Sequence, residues 1–437
     1  MSSNQKDEKA ILAKLGISEL NAMQLKANET ISTQAEVVLL SPTGTGKTLA
    51  FLLPLIKLID PTLDHIQLLI IVPSRELAIQ IQQVLQEMGS GFKSAVVYGG
   101  RSGSKDRSEL KHPSHILVGT AGRVADHIRN EVIETENIHT LVLDEFDKSL
   151  EVGFEEEMEE IIYGLPSLTK KVLTSATQKS KIPSFVGLEN PIELNFLKQS
   201  KPSIDFKVVE TDKEDTLETL LHLLRHIGNK NGIVFCNFKS TIPEVSAFLR
   251  RHKIDHATFH GDLEQRDRAR ALIKFRNGTH RLLIATDLAA RGIDVPALDF
   301  IIHYELPPRP DEFVHRNGRT GRMNNNGTAY ILKWKERELP VFIKASEVIQ
   351  LKASKERISK DWVTLYITGG KRDKISKGDV AGLFFKKGAL KKGELGIIEI
   401  HPDCAYVSVP PSKAKVLIHS LNNERLKKKK VRISLLE

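Results

Sequence analysis

The stretch EVVLLSPTGTGKTLAFLLPLIKLI, residues 36–59, decides the fold. A run of Val and Leu ends in a glycine loop, and an apolar helical run follows at once. A strand that feeds a Gly-rich loop into a helix N-terminus can turn its backbone N–H groups onto phosphate. In the loop Thr43, Gly44, Thr45, Gly46, the two glycines permit that turn. Lys47 then brings a charge to the β and γ phosphates, and Thr48 offers a hydroxyl to Mg2+. An ordinary glycine turn rarely carries Gly-Lys-Thr in register, although this loop opens with Ser41 where the general motif opens with Gly.

Outward from this loop, short Val/Ile/Leu runs alternate with amphipathic segments. Strands are expected at 67–73, 94–100, 115–120, 140–145 and 171–177, with segments such as SRELAIQIQQVLQEMG between them. Continuous apolar strands separated by helices predict a parallel sheet covered on both faces. In LVLDEFDKSLEVGF (141–154), Asp144, Glu145 and Asp147 follow one of these strands. Alone they read as a solvated turn. Beside a phosphate loop, Asp144 is the carboxylate expected to hold hydrated Mg2+, and Glu145 the one expected to handle an attacking water.

The pattern then restarts. Runs at 206–211, 231–237, 256–261, 281–287, 299–307 and 327–334 form a second α/β set, with the join near the polar stretch 195–206. The segment ELPVFIKASEVIQLKASKERI reads as a helix closing this set. Within the set, HRNGRTGR (315–322) places Arg319 and Arg322 three apart on a glycine-rich turn. Read alone it is a surface or nucleic-acid loop; with a phosphate-loop domain before it, two arginines reaching a γ-phosphate become the favoured reading. Beyond residue 361 short strands return among Gly and Lys, as a third, small α+β domain. The fold class expected is therefore α/β, with two parallel-sheet domains (1–198 and 207–355) and a small α+β domain (362–437).

Composition bounds the function. At 437 residues the chain exceeds one core. Its 40% hydrophobic and 27% charged residues are ordinary for a soluble globular protein. No apolar run approaches the ~18 residues of a membrane span, and the polar start MSSNQKDEKA resembles no targeting segment. Cys236 and Cys404 are far apart, giving neither a disulfide framework nor metal-ligand spacing, so a reduced cytoplasmic protein is expected. From Trp362 to Glu437 there are 16 Lys and Arg against 7 Asp and Glu, which accounts for the whole net charge of +9. A basic segment of domain size is the footprint of a polyanion binder.

Taken together, the motifs resemble those of the DEAD-box RNA helicases over residues 15 to about 350. LNAMQ, PSRELA, YGG, TAGR, DEFD, SAT, IVFCNFK, HGDLEQRDR, ATDLAARGID and HRNGRTGR stand in the family's order. The resemblance implies that the two α/β domains are RecA-like, with ATP and Mg2+ as cofactors and RNA as partner; a monomer is expected because no heptad repeat appears. It makes Gln24 the reader of adenine and Asp294 a ribose contact. Arg75, Gly100, Thr120, Gly122 and Arg123 would touch RNA from the first domain, and Gln265, Arg268, Thr286 and Arg291 from the second. Ser175 and Thr177 would couple hydrolysis to strand separation, while Asp147 and His315 would link the domains. Three positions depart from the usual pattern: Phe146 stands for Ala, Ser74 for Thr and Ala121 for Pro. No aromatic residue precedes Gln24 to stack on adenine, so looser selection of ATP is expected, and Phe146 is expected to need room near the domain interface.

The C-terminal segment resembles the RNA-binding domain of the bacterial DbpA subfamily, which implies an RRM-like fold, a hairpin of 23S rRNA as target and large-subunit assembly as setting. Tyr366 and Tyr406 occupy strand positions suited to base stacking, though Tyr on a strand is as often core. Lys371, Arg372, Lys374 and Lys427 to Lys430 are expected to contact phosphates. A DNA translocase, an RNA clamp without turnover and a general RNA chaperone remain as rivals.

Overall fold

The computed structural model describes residues 7–149, 155–178, 182–198, 204–290, 293, 295, 298–321, 327–344, 347–351 and 361–437. Backbone proximity divides the chain into two units, 1–202 with 291–294, and 203–290 with 295–437.

The first unit holds seven strands: β1 Glu36–Leu40, β2 Leu68–Val72, β3 Ser94–Val97, β4 Ile116–Thr120, β5 Thr140–Leu143, β6 Lys170–Ser175 and β7 Ile192–Asn195. They form one sheet in the order β3-β4-β2-β5-β6-β1-β7, and every pairing is parallel. Alternate residues of a strand enter opposite cores. Val37, Leu39 and Ile70 join the helices Ala22–Thr33, Lys47–Ile56 and Arg75–Met88 on one face. Val38, Leu40, Leu69 and Ile71 join Ala121–Arg129 and Glu155–Tyr163 on the other. Covering both faces is why these strands are apolar without alternation.

The second unit begins with β8 Ile204–Thr211, β9 Gly232–Cys236, β10 Ala257–Phe259, β11 Leu282–Thr286, β12 Phe300–His303, β13 Gly327–Trp334 and β14 Glu347–Val348. Their order, β10-β11-β9-β12-β13-β8-β14, repeats that of the first sheet strand for strand. The two sets therefore share one topology without a visible sequence repeat.

The unit ends in a small antiparallel domain. Its strands β15 Val363–Thr368, β16 Ile398–Ile400 and β17 Cys404–Val409, with a ribbon of β18 Arg425–Leu426 and β19 Lys429–Lys430 and a last strand β20 Ile433–Leu435, are backed by helices Lys377–Lys386 and Pro411–Leu421. The main sheet runs β16-β17-β15-β20.

Two expectations need correction. The segment 338–358 is not a helix among its described residues: Pro340 interrupts it, and Glu347–Val348 pair with the edge of β8. Phe146 needs no room at an interface, because it is 1% exposed and packs into the core of its own domain with Leu143 and Leu173. The run Lys427–Lys430 belongs to the two-stranded ribbon: Lys429 and Lys430 form β19 and Lys427, at φ 54°, makes the turn before it.

Candidate functional site

A parallel sheet brings the ends of its strands to one edge, where open α/β folds bind ligands. In the first unit β1 delivers the glycine loop there, β5 delivers Asp144 and Glu145, and β6 delivers Ser175 and Thr177. Gly44 and Gly46 take φ of 79° and 87°, the left-handed conformation that the loop requires. Thr45 Oγ1 donates to Pro42 O at 2.8 Å and closes the loop on itself. Lys47 Nζ donates to Ser41 O at 2.5 Å and to Pro42 O at 3.0 Å, so the cation lies folded over the cradle. Thr43 lies in the loop and Thr48 in the first turn of the helix that follows, both partly exposed.

The carboxylates differ in environment. Asp144 is buried, and burial together with the neighbouring Glu145 pushes its carboxyl up to about 6, against the opposing pull of a Thr174 hydroxyl bond and of Lys47. Thr174 donates its hydroxyl to Asp144 Oδ1, which also accepts the Glu145 N–H at 3.0 Å. Glu145 adopts φ 52°, which is uncommon for a residue with a side chain and is often found at functional sites. Its Oε2 is buried and has no hydrogen-bond partner among the described residues. A buried acceptor left in that condition is suited to a water or hydrated ion. Two anions beside one lysine at a phosphate loop fit a magnesium–nucleotide complex. Among the described residues no three His, Cys, Asp or Glu side chains converge on a metal position.

Thr177 Oγ1 donates to Asp147 Oδ2 at 2.9 Å, and Thr177 N–H donates to Ser175 Oγ at 2.9 Å. The two motifs are thus physically joined. Gln24 Nε2 donates to Gly46 O at 3.3 Å, and its Oε1 accepts Asn21 N–H at 3.0 Å. Asn21 escaped the sequence reading although it caps the helix and donates its side-chain amide to Thr45 O at 3.0 Å. The spacing Asn-x-x-Gln of a capping box was the available signal. Nothing in the sequence marked Thr174, a strand residue whose role emerges only from the β5–β6 pairing.

The expected RNA residues of the first unit gather on the same edge. Arg75 opens its helix and packs against Gly100, where a Cβ would stand 2.4 Å from Arg75 Nη1. Thr120 ends β4, a Cβ on Gly122 would meet open space, and Arg123 pairs with Asp106 at 2.7 Å.

In the second unit Thr286 ends β11, and Gln265 begins the helix Gln265–Arg276. Arg268 is buried with its guanidinium 4.9 Å from the Phe259 ring centroid. His315 and Arg319 are both buried. Arg291, Asp294 and Arg322 lie outside the described residues. Arg316, not singled out by the sequence reading, is a buried brace. It donates to Asp287 at 2.5 and 2.8 Å, to Asn237 Oδ1 at 2.6 Å and to Glu305 O at 2.8 Å.

In the C-terminal domain Tyr366 and Tyr406 pair across β15 and β17 with ring centroids 5.7 Å apart, both half-buried. They share their sheet face with Thr364, Ser408 and Glu399, which engage the second parallel domain. Ser408 Oγ donates to Asn277 O at 2.9 Å, the Thr279 and Thr364 hydroxyls meet at 2.7 Å, and Arg276 Nη2 pairs with Glu399 Oε2 at 2.8 Å. Part of the face expected to stack bases is thus occupied by the protein itself. Of the basic groups, Lys427 pairs with Asp379 at 3.1 Å, Lys429 with Asp373 at 2.8 Å and Arg372 with Asp403 at 2.9 Å, while Lys371 is exposed.

Comparison with known proteins bears on the family and the fold. Residues 21–185 match the DEAD/DEAH box helicase family, 212–324 the helicase conserved C-terminal domain and 364–435 the DbpA RNA binding domain. The chain is 32% identical to ATP-dependent RNA helicase DbpA of Escherichia coli, over 98% of this chain and 96% of that one. It is 31% identical to the Bacillus subtilis protein of the same name, over 96% and 95%. Among solved structures, yeast (S. cerevisiae) Dbp5 bound to RNA and ADP BeF3 aligns with TM-score 0.67 at 27% identity, over 75% of this chain and 87% of that one.

Proposed function

The chain belongs to the DEAD-box ATP-dependent RNA helicases and is of the DbpA type, and from that premise we propose that it opens short RNA duplexes of 23S rRNA during large-subunit assembly. The observation that carries the catalytic part is the pair Asp144–Glu145, set beside Lys47 at the carboxyl edge of the first sheet with a buried Glu145 oxygen awaiting a partner.

In this reading Thr43 to Thr48 cradle the phosphates of ATP, with Gln24 on the adenine and Asp294 on the ribose. Thr48, and Asp144 through water, would hold Mg2+, which would supply charge neutralisation to the phosphates. Glu145 orients the attacking water and takes its proton. Lys47, freed from the Ser41 and Pro42 carbonyls, follows the phosphate charge, while Arg319 and Arg322 stabilise the transition state. Thr177 and Ser175 transmit the state of the γ-phosphate through Asp147, and His315 takes part in the same coupling. Arg75, Gly100, Thr120, Gly122 and Arg123, with Gln265, Arg268, Thr286 and Arg291, hold RNA by its backbone, which favours RNA through the 2′-hydroxyl.

We assign the domains to 1–198, 207–355 and 362–437, the last addressing a hairpin of the peptidyl-transferase region chiefly through basic groups such as Lys371 and Arg372. Tyr366 and Tyr406 contribute what their half-buried rings leave open. The protein acts as a cytoplasmic monomer; among the described residues no helix is long and apolar enough to cross a membrane.

Glu145→Gln tests the catalytic assignment. It keeps ATP and RNA binding and lowers single-turnover hydrolysis by about 100-fold or more. Unimpaired hydrolysis by that variant contradicts the assignment.

A further inference from the structure

The loop after β3 carries more organised positive charge than the motifs explain. Beneath it lies Asp106, fully buried. Its Oδ2 accepts from Arg123 Nε at 2.7 Å and lies 3.2 Å from His127 Nε2, while Oδ1 stands 3.4 Å from Arg101 Nε. A carboxylate withdrawn from water is retained only where cations and donors surround it.

The three arginines nearby are not equivalent. Arg101 is committed to the fold: it donates to Val96 O at 3.0 Å and to Glu109 Oε2 at 2.5 Å, with its guanidinium over the Tyr98 ring. Arg123 is fixed by Asp106, by Asp126 at 3.2 Å and by Arg101 O at 3.3 Å. Those bonds hold its Nη2 at 3.2 Å from the point that a Cβ on Gly103 would occupy. Arg107 Nη1 comes within 3.4 Å of the same point. Arg107 is exposed and makes no ion pair among the described residues.

Guanidinium groups from two helices therefore both lie within 3.4 Å of one point over Gly103, a space that the glycine leaves without a side chain. A phosphate seated at that point is within reach of both, and planar guanidinium groups are suited to phosphate oxygens. The spot is three residues beyond Gly100, an expected backbone contact. We propose that Arg107 and Arg123 grip one phosphate of single-stranded RNA over Gly103, and that Asp106 is the positioning residue that sets Arg123 for it. Arg107 then adds a contact to those the family motifs supply. The proposal rests on the helicase reading above.

The test is equilibrium binding of the full chain to a fluorescein-labelled oligouridylate, with a non-hydrolysable ATP analogue, across a salt series. Arg107→Ala weakens binding and reduces the slope of log K against log salt by about 0.7, the value for one phosphate contact on a single strand. Arg129→Ala, which removes an equal charge from an exposed pair with Glu160, is the control. Asp106→Asn raises Kd about tenfold, as expected when a charged hydrogen bond that aims a contact is lost. In RNA-stimulated ATPase assays that penalty falls on KM for RNA and not on kcat. Asp106→Asn with Arg123→Ala binds no worse than Arg123→Ala alone, because Asp106 acts through Arg123.

An Arg107→Ala slope equal to that of the control overturns the phosphate seat, and additive penalties for Asp106 and Arg123 overturn the positioning role. Failure of the wild-type chain to bind RNA overturns the helicase reading and this proposal with it. Arg107 lies on the surface, so its variant stays informative even where Asp106→Asn impairs folding.

Discussion

Asp144 shows how a single residue records its purpose in its chemistry. A carboxyl held at about 6 by burial and by Glu145 is proton-binding in the folded chain between its unfolded value and pH 6. Stability from this group is complete below the unfolded value and is lost as pH rises through the folded one. In the nucleotide-free protein Asp144→Asn removes this loss and raises stability at pH 7 by on the order of 2–3 kcal/mol, while hydrolysis is lost. Denaturant titrations at pH 5 and pH 7 check both sign and size: a wild-type advantage at pH 7 contradicts it. At this scale Lys47, Asp144 and Glu145 were legible because their types and spacing have few other uses. Thr174 and Asn21 were less so, since a hydroxyl inside a strand and an amide before a helix look like packing and capping.

At the scale of elements, β5 and β6 matter because their ends are joined. The bond from Thr177 to Asp147 ties one strand end to the short helix that follows the other. Thr177→Ala is expected to keep RNA-stimulated ATP hydrolysis within about threefold of wild type and to lose duplex separation by about tenfold, less than 2 kcal/mol of coupling in either case. Parallel ATPase and strand-displacement assays check it, and equal losses in both would contradict a coupling role.

The same region holds Phe146, whose ring fills core space beside Leu143 and Leu173. Phe146→Ala is expected to cost about 3–5 kcal/mol in urea unfolding; a cost below 1 kcal/mol would show that the site collapses around the smaller residue. The twelve strands read from apolar runs in the two α/β sets were legible because burial on both faces leaves few polar residues. The edge strands β7 and β14 were not: Ile192–Asn195 and Glu347–Val348 are short and largely exposed. Among the described residues of 338–358, the expected helical period gave way to the pairing of Glu347–Val348 with β8.

For the whole molecule, two sheets of identical strand order and one small antiparallel sheet divide the labour. Composition located the basic third domain, but only the structure showed that its Tyr-bearing face rests partly on residues 276–279 of the second domain. Trp362, packed against Gly278, reports on that docking, since a Cβ on Gly278 would lie 3.3 Å from its Cδ1. In a Trp334→Phe background, Glu399→Ala is expected to leave Arg276 without its carboxylate, cost about 1–2 kcal/mol and shift Trp362 emission to the red. Unchanged emission would contradict a docked domain.

The central claim, RNA-stimulated ATP hydrolysis directed by the third domain, is met most directly by steady-state ATPase measurements. A 23S rRNA fragment carrying the peptidyl-transferase hairpin is compared with an unstructured RNA of equal length, for the full chain and for one ending at Asp361. Strong stimulation by the fragment, lost on truncation, is the result predicted. Equal stimulation by both RNAs, or no stimulation by either, would contradict it.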